Sequence, residues 1–568
     1  MTIASWLGRG IVTIAMGAGA ASFAATPVTR TAIREPQGPD SSQISAALVA
    51  VLDGKRPREL RVDEWKLVGD LYGRAKAASS LAALWVDGGR IVPRAAELAN
   101  AIAAADTLGL RPRDYPLDAL NDALQRARSP STDDARAAAT IAATDVLLTA
   151  TFVAFADDLL TGRLDPRKVE PSWHIASRTF DVGARIRAAL DAVRGGRAVG
   201  EVLSGLRTDY GSYGGLLRAL SRYRALESSG GWPSVPDGPN LRPGDSGTVV
   251  LALRARLAAE GYLSTAAGSN TLDAMLAGVL AEFQGRHGLT IDSVVGPGTR
   301  AALNVPASFR VWQIEANLER VRWLPPDAGQ RFLVVNVPAF ILYAFDGTTR
   351  AFTMRVVVGD ELVSRRTPIF ADTLEYIEFG PYWNVPRSIA VNEILPRARQ
   401  DRGYLARNGY QVLRGWGDNA PVVDPRRLSN AALFSSRYRV RQLPGPNNAL
   451  GRVKFMFPND YAVYLHDTPA RERFEDTHRA HSHGCVRVED PEKLATFLLR
   501  DAPEWPPDRI AATLAAGRRR RVNLRNGAAV YLIYLTAFAR DGQVLFRDDI
   551  YDRDARLLAA MAKQRTPR

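Results

Sequence analysis

One cysteine, Cys485, occurs in the 568 residues of this chain. An internal disulfide is thereby excluded, and so is a zinc site built on paired Cys-x-x-Cys ligands. Histidine is almost as scarce. There are six, of which His174 and His287 stand apart while His466, His478, His481 and His483 crowd together. Past the N-terminal region no segment approaches the ~20 uninterrupted apolar residues of a membrane-spanning helix, so no later span is expected. Acidic charge is in deficit, with 60 Asp and Glu against 74 Lys and Arg, for a net charge of +14. The excess is arginine scattered along the chain. Its one compact run, Arg518 to Arg521, reads as a solvated edge between two elements rather than a nucleic-acid patch.

What is present is concentrated between Tyr461 and Asp490, in YAVYLHDTPARERFEDTHRAHSHGCVRVED. A cysteine attacks as thiolate, which a neighbouring imidazole, a positive field or backbone donors must favour. Gly484 permits a tight turn beside Cys485, His483 lies two residues before the sulfur, and the Val463-Tyr464-Leu465 run delivers His466 from a strand end. A Cys–His pair is one reading of this span. A small buried thiol with no chemistry is another, and a zinc site drawn from the cysteine and histidines is a third.

Read from its start, the chain opens with Arg9 and the apolar run Ile11 to Phe23, followed by small residues to Ala25, the pattern of a secretory signal over 1–25. The rest is expected to be exported and free of any stable membrane span. Nucleic acid is then no expected partner, and the positive charge gives a weak attraction to anionic cell-envelope polymers. Residues 26–40 read as a linker. Alanine, leucine and arginine at helical spacing mark a helical domain over 41–235, in which His174 reads as structural. After the Gly- and Pro-rich joint 230–240, residues 240–305 hold three short helices, the first with Val249, Leu253 and Leu257 on one side, and residues 306–328 form a further helix. From 330 to 545 the pattern changes to period two. A hairpin is predicted around Asp346-Gly347, with more strand text at 374–386, 454–458, 461–466 and 529–539 and one helix at 489–501. A long polar connection fills 387–450, and 546–568 form a C-terminal tail or helix. The fold class is multidomain α+β.

His466, followed by Ser482-His483-Gly484-Cys485 and Val486-Arg487-Val488, resembles the signature of the L,D-transpeptidases, enzymes that cross-link peptidoglycan through a cysteine acyl-enzyme. LHDTP (465–469), RAHSHGCVRV (479–488) and PGPNNALGRVKFMFPN (444–459) are similar to the large periplasmic subgroup of Gram-negative bacteria. The resemblance implies that 41–235 is a scaffold domain, that 240–305 is a peptidoglycan-binding-like module able to touch glycan strands, that 306–328 returns to the scaffold, and that 387–450 caps a mainly-β catalytic domain. It implies a periplasmic, wall-associated enzyme that needs no cofactor or metal and whose partners are peptidoglycan stem peptides.

The same resemblance makes Cys485 the nucleophile and His466 the base, oriented by the backbone or side chain of Asp467, with His483 assisting or positioning. Backbone donors around Gly484 would meet the oxyanion. Ser482, Arg487, Trp383 and Asn384 are the expected substrate contacts, Arg487 through a charge-assisted fork to a carboxylate or, equally, as a structural ion pair, while Trp383 also reads as a buried aromatic. His478 and His481 read as solvated or supporting. The expected reaction attacks the third-position diaminopimelate of a tetrapeptide, releases D-alanine and passes the acyl group to a second stem as a 3→3 cross-link. Water or a lipoprotein amine as acceptor, and a noncatalytic wall-binding scaffold, remain open alternatives.

Overall fold

The computed structural model describes residues 39–563 except 58–59, 74–80, 130, 177–180, 209, 326–327, 402, 418, 430–431 and 433–434. The expected signal (1–25), nearly all of the linker (26–40) and the end of the tail lie outside the described residues.

The helical half is built around one long helix, Asp134–Thr161, started by the Asp133 side chain, which accepts from the backbone N–H of Ala135 and Arg136. It is buried on nearly every side, as expected of a helix that is apolar all round. It is long and apolar enough to cross a membrane, yet 78% of its most apolar window is covered by the protein. Helices Ser41–Leu52, Val62–Leu71 and Leu117–Arg128 pack on it. Its buried acids are all answered. Asp157 and Asp158 pair with the buried Arg61 at 2.6 and 2.7 Å, Tyr115 donates to Asp158 at 2.9 Å, and the Trp85 N–H donates to Asp145 at 2.6 Å.

The three-helix module comprises Thr248–Ala259, Ala274–His287 and Pro297–Leu303 around Leu253, Leu257, Leu280 and Phe283. Gly288, with φ +69°, stops the second helix in the left-handed conformation, and Pro297 opens the third. The second helix runs to His287. The last turn is retained because His287 is buried, stacked 3.9 Å from the Phe283 ring and facing Phe546 at 5.5 Å.

Among the described residues the closed sheet of the β domain runs through eight strands, β1 Arg331–Asn336, β2 Ile341–Asp346, β3 Thr349–Gly359, β4 Ile369–Phe379, β5 Val453–Met456, β6 Leu465–His466, β7 Val486–Val488 and β8 Arg520–Ile533, and the short strand Ala480–Ser482 adds in parallel to β3. The expected hairpin turns at Asp346-Gly347, between β2 and β3. Pairing runs β5–β6–β7–β3–β2–β1–β8–β4, and β4 pairs again with β5, so the sheet closes on itself. Strand β4 does this by being long. Its last four residues pair with β5 on one side and with the start of β8 on the other. The arginine run 518–521 leads into β8, where Arg519 meets Glu378 at 2.6 Å and Arg521 lies 3.7 Å above the Tyr376 ring. Residues 383–442 carry a separate four-stranded sheet over its own apolar cluster of Val385, Ile389, Ile394, Leu395, Val412 and Val440.

The apolar cores divide the chain elsewhere than composition suggests. Helix Gly211–Ser228 falls in the 41–235 segment, yet its Tyr213, Leu216, Leu220 and Tyr223 belong to the same core as the barrel. They meet Ile314, Leu318 and Val321 of helix Ala307–Arg322 there. Strand Trp173–His174 adds to the free side of β4, and Trp173 packs edge-on against Trp323 at 5.2 Å. Composition could not separate these residues from the helical half, because their apolar faces have the same period whichever core receives them. The C-terminal helix Asp554–Ala562 is tied in by Arg320–Asp554 and by Thr536 donating to Asp554 at 2.7 Å.

Asp158→Ala is expected to leave the buried Arg61 guanidinium without one of its three counter-charges, Glu64, Asp157 and Asp158, at a cost of about 3–5 kcal/mol. Denaturant unfolding of the helical half would read this directly, and Asp134→Ala on the first, exposed turn of the same helix should cost less than about 0.5 kcal/mol.

Candidate active site

Strands β6 and β7 run parallel, with Leu465 level with Val486 and His466 level with Arg487. Side chains alternate along a strand, so Leu465, Val486 and Val488 point into the core, where all three are fully buried. The opposite face then carries His466, Arg487 and, two residues before Arg487, Cys485. Tyr464 shares that face two residues before His466, and its carbonyl accepts the Val486 N–H at 3.1 Å.

The His466 tautomer follows from its hydrogen bond. Nδ1 lies 2.5 Å from the Asp467 carbonyl, which can only accept, so Nδ1 carries the proton and Nε2 keeps a free lone pair. The orienting group is thus the Asp467 backbone. Its carboxylate turns away, accepting from the Arg452 N–H at 2.8 Å and facing Arg471 at 3.3 Å. Burial, reinforced by Arg487 and Lys454, depresses the His466 pKa to about 3. Burial raises the half-buried Cys485 thiol to about 11, against hydrogen bonds from Tyr464 and the charges of Arg487 and Lys454. The resting pair is therefore neutral: proton on sulfur, lone pair on Nε2. The thiol lies 3.6 Å from the Ala462 carbonyl, and Ala462 itself holds φ +53°, a conformation that costs a non-glycine residue about 1–3 kcal/mol.

The turn from Ser482 to Cys485 is fixed from within and from below. Ser482 is buried, its hydroxyl donating to the Cys485 carbonyl at 2.5 Å and accepting the Gly484 N–H at 3.1 Å. Ser482 therefore shapes the turn, where the sequence pattern suggested a substrate contact. The Gly484 N–H is spent in the same bond, so an oxyanion donor there would have to be the N–H of Cys485, which no acceptor takes among the described residues. Gly484 itself is required by its φ of +113°. Below the turn, the fully buried Thr367 donates to the Gly484 carbonyl at 2.9 Å and accepts from the Gly359 N–H at 2.9 Å. Gly359 must be glycine because a Cβ there would stand 2.0 Å from the Arg365 carbonyl.

The remaining candidates divide. Arg487 shares the sulfur's face, and its buried Nε has no hydrogen-bond partner among the described residues. Trp383 is half-buried beside Tyr410, with ring centroids 6.4 Å apart, whereas Asn384 is exposed on the next position of the same two-residue strand. His483 is partly exposed and bonds Glu393 at 2.6 Å. His478 and His481 are occupied by Glu361 at 3.4 Å and Asp476 at 3.1 Å, away from the sulfur.

Residues 330–510 match the L,D-transpeptidase catalytic domain, residues 71–220 the scaffold domain, and residues 246–303 a family described as "Putative peptidoglycan binding domain". The chain carries the catalytic domain of the L,D-transpeptidase family. A Haemophilus influenzae protein named "Putative L,D-transpeptidase" is 34% identical over 246 residues, 43% of this chain. The chain spans about half the length of that curated relative, 48%. Crystal structures of L,D-transpeptidases from Xylanimonas cellulosilytica and Stackebrandtia nassauensis align over 52% and 55% of this chain and 100% and 99% of their own. They do so at 16% and 12% identity with TM-scores of 0.16 and 0.21, overlaps too slight to bear on the fold.

Two residues of the L,D-transpeptidase domain escape a reading of its signature. Tyr464 lies on the sulfur's face, and its interaction with Cys485 opposes the rise that burial imposes on the thiol. Its signal in the sequence is the alternation that puts it two residues before His466. Thr367 has no such signal, because it reaches the turn from the loop between β3 and β4.

With the thiol near 11, alkylation of Cys485 by iodoacetamide is expected to rise about tenfold per pH unit from pH 6 to 10. A thiolate–imidazolium pair would instead give a plateau at neutral pH, which stopped-flow or mass-spectrometric rates would reveal. Thr367→Val removes both bonds beneath the turn and is expected to cost about 1–3 kcal/mol by thermal unfolding. The Cys485 alkylation rate should shift along with it.

Proposed function

We propose that the protein is a cysteine L,D-transpeptidase acting on peptidoglycan stem peptides in the periplasm. The observation that carries this reading is the single face shared by Cys485, His466 and Arg487, with an imidazole whose free Nε2 can take the thiol proton. In the first step the Cys485 sulfur attacks the carbonyl of the third-position diaminopimelate. The S–H proton passes to His466 Nε2 and on to the departing amine, the bond to D-alanine breaks, and a thioester forms. In the second step the side-chain amine of a neighbouring diaminopimelate attacks the thioester, gives up its proton through His466 and returns Cys485 as the thiol, leaving a 3→3 cross-link.

Arg487 suits this chemistry in two ways. It favours the thiolate as it forms, and its unpartnered Nε offers a stem-peptide carboxylate a charge-assisted hydrogen bond. Tyr464, on the same face, favours the same transient charge. The N–H of Cys485 is the donor we assign to the tetrahedral oxyanion. Loss of one such donor raises a barrier by about 2.7–4 kcal/mol, which sets the scale of what this turn contributes. The 240–305 module would present glycan strands to the domain, and the 387–450 segment would cover the donor peptide.

Intact-mass spectrometry after incubation with a diaminopimelate-containing tetrapeptide tests this reading. A loss of D-alanine, a thioester adduct absent from Cys485→Ala and 3→3 dimers are the expected result. Tripeptide alone would make water the acceptor, and no adduct would overturn the assignment. Arg487→Gln should lower kcat/KM by about tenfold or more, the worth of one charge-assisted hydrogen bond.

A further inference from the structure

The capping segment is joined to the active-site turn through one carboxylate. Glu393 Oε1 lies 2.6 Å from His483 Nε2 and 3.4 Å from Arg365 Nη2, while Arg365 Nη1 meets Asp360 at 3.1 Å. The Asp360 N–H in turn donates to the Ser482 carbonyl at 2.9 Å. A closed circuit results, from the turn bearing Cys485 to the cap and back through the loop that follows β3.

The backbone that presents Glu393 is unusual. Residues Arg387–Ile389 and Leu395–Gln400 are α-helical, and Ala390–Ile394 between them is a π-helical turn. Pro396 accounts for it: proline has no N–H for the Asn392 carbonyl, and its ring would strike that carbonyl in a regular helix. The widened turn costs a regular hydrogen bond, and such turns concentrate at functional sites. Ile394 and Leu395 on its other side are buried in the small apolar cluster of the cap, so the turn is anchored while Glu393 faces the barrel.

We propose that Glu393 is a positioning residue that holds the cap closed over Cys485 by bridging His483 and Arg365. It touches neither the sulfur nor the base. Its contribution is to make cap closure and the placement of His483 one event, so that the wall of the cleft above Cys485 is complete only when the turn below is in place. The assignment rests on the acyl-transfer reading of Cys485 for its effect on turnover, but its structural content can be read without turnover.

The test uses the full chain with Glu393→Gln and Glu393→Ala. Three readings are taken: hydrogen exchange across residues 387–450, the rate of Cys485 alkylation by iodoacetamide at pH 8, and KM and kcat with the tetrapeptide. Release of the latch is expected to speed cap exchange and alkylation by about three- to tenfold, the range of a partly exposed ion pair with its hydrogen bond. KM should rise by a similar factor with kcat changed less than about twofold. Glu393→Gln retains shape and decides the matter if Glu393→Ala fails to fold. Unchanged cap exchange and unchanged alkylation in a folded variant would overturn the proposal, even if the wild type turns over. Faster exchange and alkylation in a protein that never forms a thioester would keep the latch and sink the transpeptidase reading.

Discussion

The register between β6 and β7 is the constraint on which the rest depends. These strands are two and three residues long, far too short to hold a register alone, yet a slip of one residue would send His466 and Arg487 into the core and Leu465 and Val486 to the surface. Closure of the barrel supplies what length does not. Strand β6 is gripped by β5, β7 by β3, and the long β4 and β8 complete the ring from the far side. Two fully buried valines and a leucine beneath the site then oppose any slip, at about 1.5–3 kcal/mol for each side chain exposed.

That rigid floor carries an electrostatic compromise. Lys454, His466 and Arg487 lie level on three adjacent strands, so a proton on His466 would sit between two cations. Burial and those charges act together to keep the imidazole neutral, whereas for the thiol they oppose one another and burial prevails. The result is a sulfur that keeps its proton at neutral pH. Lys454 is itself held to Glu378 at 2.9 Å, which leaves Arg487 as the less compensated of the two charges and the one free to meet an anion.

Much of this was legible in the chain, and what was not has a physical reason. The Asp346-Gly347 hairpin, the three short helices and the crowding of Cys485 with the histidines depend on neighbours in sequence, and such signals survive in a single chain. Closure of the barrel depends on β4 finding β5 some seventy-five residues later, which no local pattern encodes. Thr367 and Glu393 act on the Cys485 turn from 118 and 92 residues away, and as residue types they are ordinary in a loop and on a helix. Ser482 misled for the opposite reason. Standing in the most conspicuous motif, it suggested contact with substrate, although a hydroxyl two residues before a glycine of positive φ is well placed to bind its own turn. Asp467 left two options open, and the backbone prevailed because its carboxylate is already engaged by Arg452 and Arg471.

The 330–510 match is shorter than the unit that must fold. Trp173 completes β4, helices Gly211–Ser228 and Ala307–Arg322 fill the barrel core from outside, and Tyr551 fixes the loop under Cys485 by donating to the Gly359 carbonyl at 2.6 Å. Removing them would uncover the barrel side chains that Leu216, Leu220, Ile314 and Leu318 cover, and would leave the Thr367 N–H without the Tyr551 hydroxyl that accepts it at 3.2 Å. The three-helix module is bound in by the same logic. Glu260 is buried between Arg256 of its own helix and the Tyr223 hydroxyl of helix Gly211–Ser228, and separating the two would uncover an ion pair together with the apolar faces around His287. The Arg256–Glu260 pair lies within the module, so the bond that crosses to helix Gly211–Ser228 is the one the Tyr223 hydroxyl donates to Glu260, and parting the two surfaces would leave that carboxylate without it. The module, the helices and the barrel are thus a single mechanical frame. Residues 383–442, with a sheet and a small apolar core of their own, stand apart from that frame.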